Sequence, residues 1–145
     1  MKVRAAGTQD VEKLAAIIAH HASQGLMLPR SLGALSASLD TYVVADAGGE
    51  LVGCGGLDVY TADSAEIYAL ATLPEGSPPG TGKAIVQALI DRARKEKIAR
   101  VFALTLAPGV KTVAHTDLPL KVWKDCVACP KYGNCDEIAM VLNLN

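Results

Sequence analysis

Residues 64–84 read SAEIYALATLPEGSPPGTGKA, and the order of features in this stretch decides the fold. SAEIYALAT alternates as a half-buried strand does, with Glu66, Tyr68 and Leu70 on one face and Ala65, Ile67 and Ala69 on the other. GSPPGTGKA at 76–84 is a glycine loop. Beyond it, Ile85, Ala88, Leu89, Arg92 and Ala93 recur at helical spacing and predict a helix over 81–96. The loop comes close to the pattern that cradles ATP phosphates, since Gly82 and Lys83 fit it. Ser77 stands where the leading glycine belongs, however, and Ala84 where a hydroxyl should hold magnesium. The next strand, within RVFALTLAPG at 100–109, has no acidic residue to share that ion. A strand, glycine loop and helix therefore occur here without the ligands of a nucleotide hydrolase.

Outward from this unit, residues 2–5 make a short strand. Val11, Leu14, Ala15, Ile18 and Ala22 mark an amphipathic helix over 9–24. Thr8 is its expected N-cap, Asp10 and Glu12 suit the dipole of its first turn, and Gly25 stops it. SLGALSASL at 31–39 is a second helix capped by Ser31. Tyr42–Ala45 and Leu51–Tyr60 flank Ala47-Gly48-Gly49 as a hairpin. VFALTL at 101–106 reads as a buried strand, 107–136 as irregular around Pro108, Pro119 and Pro130, and EIAMVLNL at 137–144 as the last strand. The order β-α-α-β-β-β-α-β-β makes an α+β class of fold. One domain over 1–145 is expected to hold a mostly antiparallel mixed sheet flanked by helices in three layers.

With half of its residues hydrophobic and a fifth charged, the chain has a globular composition. Its net charge of −1 supplies no electrostatic footprint for nucleic acid or anionic lipid. No apolar run approaches a membrane span, and MKVRAAGTQD lacks the apolar core of a signal peptide, so a cytoplasmic protein is expected. Its four cysteines then suggest metal or redox chemistry before disulfides. Cys126, Cys129 and Cys135 open with a zinc-like spacing but supply three thiolates, which His115 or Cys54 could complete. The other reading is three reduced thiols packed as small hydrophobes. His20 and His21 are neighbours on a helix, face different ways, and read as surface residues.

The element order, with a glycine loop between the fourth strand and a long helix, resembles the GNAT superfamily of N-acetyltransferases. GLMLPRSL at 25–32 and KVWKDCVACPKYGNCDEIAMV at 121–141 resemble the short, single-domain N-acetylglutamate synthases of bacterial arginine biosynthesis. The resemblance implies acetyl-CoA as co-substrate, with its pyrophosphate at the start of the long helix. The loop motif falls on Ser77-Pro78-Pro79-Gly80-Thr81-Gly82, and Lys83 takes the basic position after it. Two departures accompany it. Ser77 replaces Gln or Arg, while Pro78 and Pro79 bring no N–H donors. After strand 101–106 the usual helix is missing by about two turns, and with it the general-acid tyrosine.

By the same resemblance Glu66 deprotonates the acceptor amine, and a strand N–H within Ala69, Leu70 and Ala71 polarises the thioester. Arg30 and Lys121 bind the acceptor. On the residues alone, Arg30 is either a planar fork for a carboxylate or a solvated surface cation. The implied reaction moves acetyl to the amino group of glutamate or a similar amino acid by direct attack in a ternary complex. The resemblance also admits pairing into a homodimer. The alternative is a non-catalytic protein of the same fold that binds an amino acid or a partner.

Overall fold

The first strand, Lys2–Ala5 (β1), is followed by helices Val11–Ser23 (α1) and Leu32–Ala37 (α2) and by strands Tyr42–Ala47 (β2), Glu50–Thr61 (β3) and Ser64–Thr72 (β4). Helix Thr81–Lys95 (α3) then leads to strands Arg100–Thr105 (β5), Thr112–Val113 (β6) and Ile138–Asn143 (β7). The structure, a computed structural model, describes residues 1–25, 27–73, 75–105, 112–113 and 138–144. The seven strands form one sheet in the order β1-β2-β3-β4-β5-β7-β6. Every neighbouring pair runs antiparallel except β4 and β5, which α3 joins as a parallel crossover. The short β6 lies in the stretch expected to be irregular. Its two residues pair with Met140 and Ala139 of β7, and a strand so short leaves almost no periodic signal in a sequence.

Local chemistry accounts for most element ends. Gly48 and Gly49 both take positive φ, 66° and 97°, as a two-residue turn between Ala47 and Glu50 requires. Ser31 caps α2 by accepting the Ala34 N–H at 3.1 Å, and Gly25 closes α1 at a φ of 73°. The start of α1 differs from expectation. Thr8 is not the cap but the first residue of a 3-10 turn ending at Asp10, whose carboxylate accepts the Gly7 N–H at 2.7 Å. Arg4 grips the same carboxylate at 2.8 and 3.1 Å and reaches Asp46 at 3.2 Å, tying β1, β2 and the turn that leads into α1 together. The Arg4 hydrogen bond holds the buried Asp10 carboxyl below its ordinary range.

Two apolar clusters fill the layers. On one face Ile85, Leu89 and Ala93 of α3 meet Val43, Ala45, Val52, Leu57, Ala65 and Ile67. On the other, Leu14, Ile17 and Ile18 of α1 with Leu35 of α2 meet Tyr42, Val44, Leu51 and Cys54. The glycines of GCGG at 53–56 permit the close approach. A Cβ on Gly53 would lie 2.8 Å from Ile85 and 3.1 Å from both the Ala71 carbonyl and the Thr81 methyl. The start of α3 is thus set directly against the ends of β3 and β4. Among the described residues no helix is long and apolar enough to cross a membrane.

Candidate active site

The centre of β4 is not a regular strand. Cys54 pairs with Ala71 and Gly56 with Tyr68, so Gly55 faces Ala69 and Leu70 together: a β-bulge, with Ala69 at a φ of 52°. The extra residue reverses the side-chain alternation beyond it. Leu70, expected on the face of Glu66 and Tyr68, instead lies on the α3 side, beside Gly55, Ile85 and Leu89. Ala71 moves to the α1 side, among Tyr42 and Cys54. The Cys54 thiol fills the space under the bulge and donates to the Ala69 carbonyl at 3.4 Å. Burial pushes this thiol up to about 12, so the free group is neutral.

A second irregularity opens the other edge of the strand. β4 pairs with β5 only over Ser64, Ala65 and Glu66, although β4 runs on to Thr72. Beyond Glu66 the two parallel strands separate, and the backbone of β4 facing β5 has no strand partner among the described residues. Glu66 sits at the fork, only 5% exposed, opposite Asp58 of β3 and beside Phe102 of β5. The Tyr60 hydroxyl donates to its Oε1 at 3.0 Å, and the Tyr60 ring meets Phe102 edge-on with centroids 5.6 Å apart.

The glycine loop delivers α3 to the far end of this opening. Thr81 donates its N–H to the Pro78 carbonyl at 3.2 Å and its hydroxyl to the same oxygen at 2.6 Å. Pro79 and Gly80 are the central residues of that turn, and Gly80 has φ 83° and ψ 5°. This is a type II turn with proline and glycine where each is favoured. The prolines therefore stand before the helix, and the N–H groups of Gly82 and Lys83 in its first turn are intact and beyond intrahelical reach. No acidic side chain opposes the helix dipole there. Gly82 lies against the Thr72 methyl at the end of β4. Ser77 braces the loop by donating to the Leu73 carbonyl at 3.1 Å, and Lys83 is exposed.

On the α1 side of the sheet, Arg30 lies 4.7 Å above the centre of the Tyr68 ring. Tyr68 is two residues beyond Glu66 on the same strand face, about 7 Å along β4. The structure therefore sets Arg30 over the strand face that carries Glu66 and Tyr68. His21, expected as a surface residue, is half-buried and joins α1 to the Thr72 carbonyl at 2.8 Å. Since a carbonyl only accepts, Nε2 carries the proton. Lys121, Cys126, Cys129, Cys135 and His115 lie outside the described residues, as does most of the segment expected to lack a helix. Among the described residues no group of three His, Cys, Asp or Glu side chains is placed to hold a metal ion. Tyr68, Tyr60 and Cys54 are site residues that the sequence reading did not assign to the site. Alternation placed Tyr68 beside Glu66, but no local signal joined it to Arg30.

The acetyltransferase (GNAT) family pattern matches residues 11–115. The chain belongs to this family. An uncharacterized N-acetyltransferase of Chlorobaculum tepidum is 36% identical over 98% of this chain and 96% of its own length. An amino-acid acetyltransferase of Neisseria meningitidis is 31% identical over 86% of this chain, which spans 30% of that protein. Among solved structures, N-acetylglutamate synthase of Neisseria gonorrhoeae, complexed with coenzyme A and N-acetyl-glutamate, superposes with a TM-score of 0.88 at 28% identity. That match covers 99% of this acetyltransferase and 35% of the synthase chain.

Proposed function

We propose that this acetyltransferase moves an acetyl group from acetyl-CoA to the amino group of glutamate or a similar amino acid. The observation that carries the reading is the placement of Arg30, Tyr68 and Glu66 on one face of β4, beside the edge that β5 leaves open. A cation and a carboxylate over the same strand face suit an acceptor that carries both a carboxylate and an amine. The likeness to a synthase complexed with coenzyme A and N-acetyl-glutamate supports the same substrates.

In this reading the first turn of α3 and Lys83 hold the diphosphate, because unpaired N–H groups and a positive dipole end favour an anion. The open edge of β4 receives the pantetheine arm, and the backbone around the Ala69 bulge polarises the thioester carbonyl. Arg30 holds a carboxylate of the acceptor. Glu66 takes a proton from the acceptor ammonium, directly or through water, leaving a free amine. The amine forms a C–N bond at the carbonyl carbon while the oxyanion accepts a backbone hydrogen bond. Collapse breaks the C–S bond, and the thiolate leaves and is protonated as the nitrogen gives up its second proton. Purified protein, acetyl-CoA and a panel of amino acids test this: free coenzyme A thiol should appear with glutamate, and mass spectrometry should find the N-acetyl product in equal amount. Absence of thiol release with every amino acid would leave a binding protein in place of an enzyme.

A further inference from the structure

The ring beneath Arg30 is held from three directions. Gly56, its register partner on β3, leaves a notch: a Cβ there would fall 2.5 Å from Tyr68 Cε1. The Tyr42 ring supports it from β2, with centroids 5.4 Å apart. Its hydroxyl lies 2.6 Å from the Thr41 hydroxyl, which itself stands 2.7 Å from the Ser38 carbonyl. A carbonyl only accepts and Thr41 has one hydroxyl proton, so Thr41 donates to Ser38 and Tyr68 donates to Thr41. The ring is therefore fixed in tilt and in height. A guanidinium held over such a ring spends no hydrogen bond on that contact and keeps its N–H donors for a planar, two-point contact. Arg30 is otherwise an exposed side chain with many rotamers, and holding it in a single pose has an entropic cost that the contact with the ring meets in advance.

From this arrangement we infer that Tyr68 is a positioning residue for the acceptor, acting through Arg30. The inference rests on the amino-acid reading above. Tyr68→Leu removes the π face. It should raise the KM for glutamate about three- to thirtyfold, the span of a cation–π contact, with kcat and the KM for acetyl-CoA almost unmoved. In an Arg30→Ala background the same change should add less than about twofold, because the partner is already gone. Tyr68→Phe keeps the face and loses the tether, and Thr41→Val loses the tether from the other side. Each should raise the KM by about two- to threefold, and the pair together by no more than either alone. These two conservative variants retain the packing and keep the test open if Tyr68→Leu does not fold. Full multiplication of the Tyr68 and Arg30 effects overturns the inference, as does a Tyr68→Phe loss that falls on kcat. Turnover by the unaltered protein with an unmoved KM in Tyr68→Leu overturns this inference alone. No amino-acid-dependent turnover by the unaltered protein overturns the reading above and this inference with it.

Discussion

The two ends of the β4 opening are made of different material. At the α3 end the groups that can meet a ligand are backbone N–H donors, presented by a turn and a helix start; on the Glu66 face they are side chains, Glu66, Arg30 and Tyr68. A backbone site depends on conformation, so residue identity matters there only through the turn it permits. Pro78 and Pro79 illustrate this. As missing N–H donors they looked damaging, yet in the fold Pro79 occupies the turn position that favours proline, and the donors of the helix lie one step later. The side-chain end has no such tolerance, because its chemistry disappears with the functional group.

The sharpest test of this contrast is Glu66→Gln, which keeps the shape and removes the base. It should lower kcat by about a hundred- to ten-thousandfold and leave coenzyme A affinity unchanged by calorimetry. A matching loss of coenzyme A binding would mean that the two ends are not separable. Arg30→Ala comes next. Its KM for the amino acid should rise about ten- to a hundredfold, the worth of a charged two-point contact, while the KM for acetyl-CoA stays. Equal weakening of both substrates would make Arg30 structural.

At the backbone end, Gly80→Ala puts a methyl into open space but forces an L-residue to a φ of 83°. The strain, roughly 1–2 kcal/mol, should weaken coenzyme A binding by about five- to thirtyfold with the acceptor KM untouched. An unchanged affinity would show that the turn does not need this conformation. The smallest effect belongs to Pro79→Gly, which loses only pre-organisation, about 0.4–1 kcal/mol. Titration should find coenzyme A binding about two- to fivefold weaker. Tighter binding would mean that a missing N–H at that position costs more than the turn contributes.

Much of the architecture could be read along the chain, because its signals are local. The Gly48-Gly49 turn, the Ser31 cap, the stop at Gly25 and the bounds of α3 each follow from one or two residues and their own backbone. Glu66 was a candidate through the family resemblance, and the loop at 76–84 was legible from its glycines. The Thr8 cap failed because Thr8 lies inside a 3-10 turn that begins after Gly7, and the Asp10 carboxylate, held by Arg4 of another element, closes that turn on the Gly7 N–H. Leu70 changed faces because a single bulge residue inverts a period of two, and nothing in SAEIYALAT marks it.

By itself, then, the sequence determined the longer elements, their order and the class of fold, since periodicity, caps and turns act over a few neighbouring residues, but not the two-residue β6 or the 3-10 turn at Thr8–Asp10. Only the tertiary structure decided where β4 and β5 part, where the bulge falls, that Cys54 lies buried beneath it and that Arg30 meets Tyr68. Each of these depends on contacts between residues far apart in the chain, and such contacts exist only once both layers have packed onto the sheet.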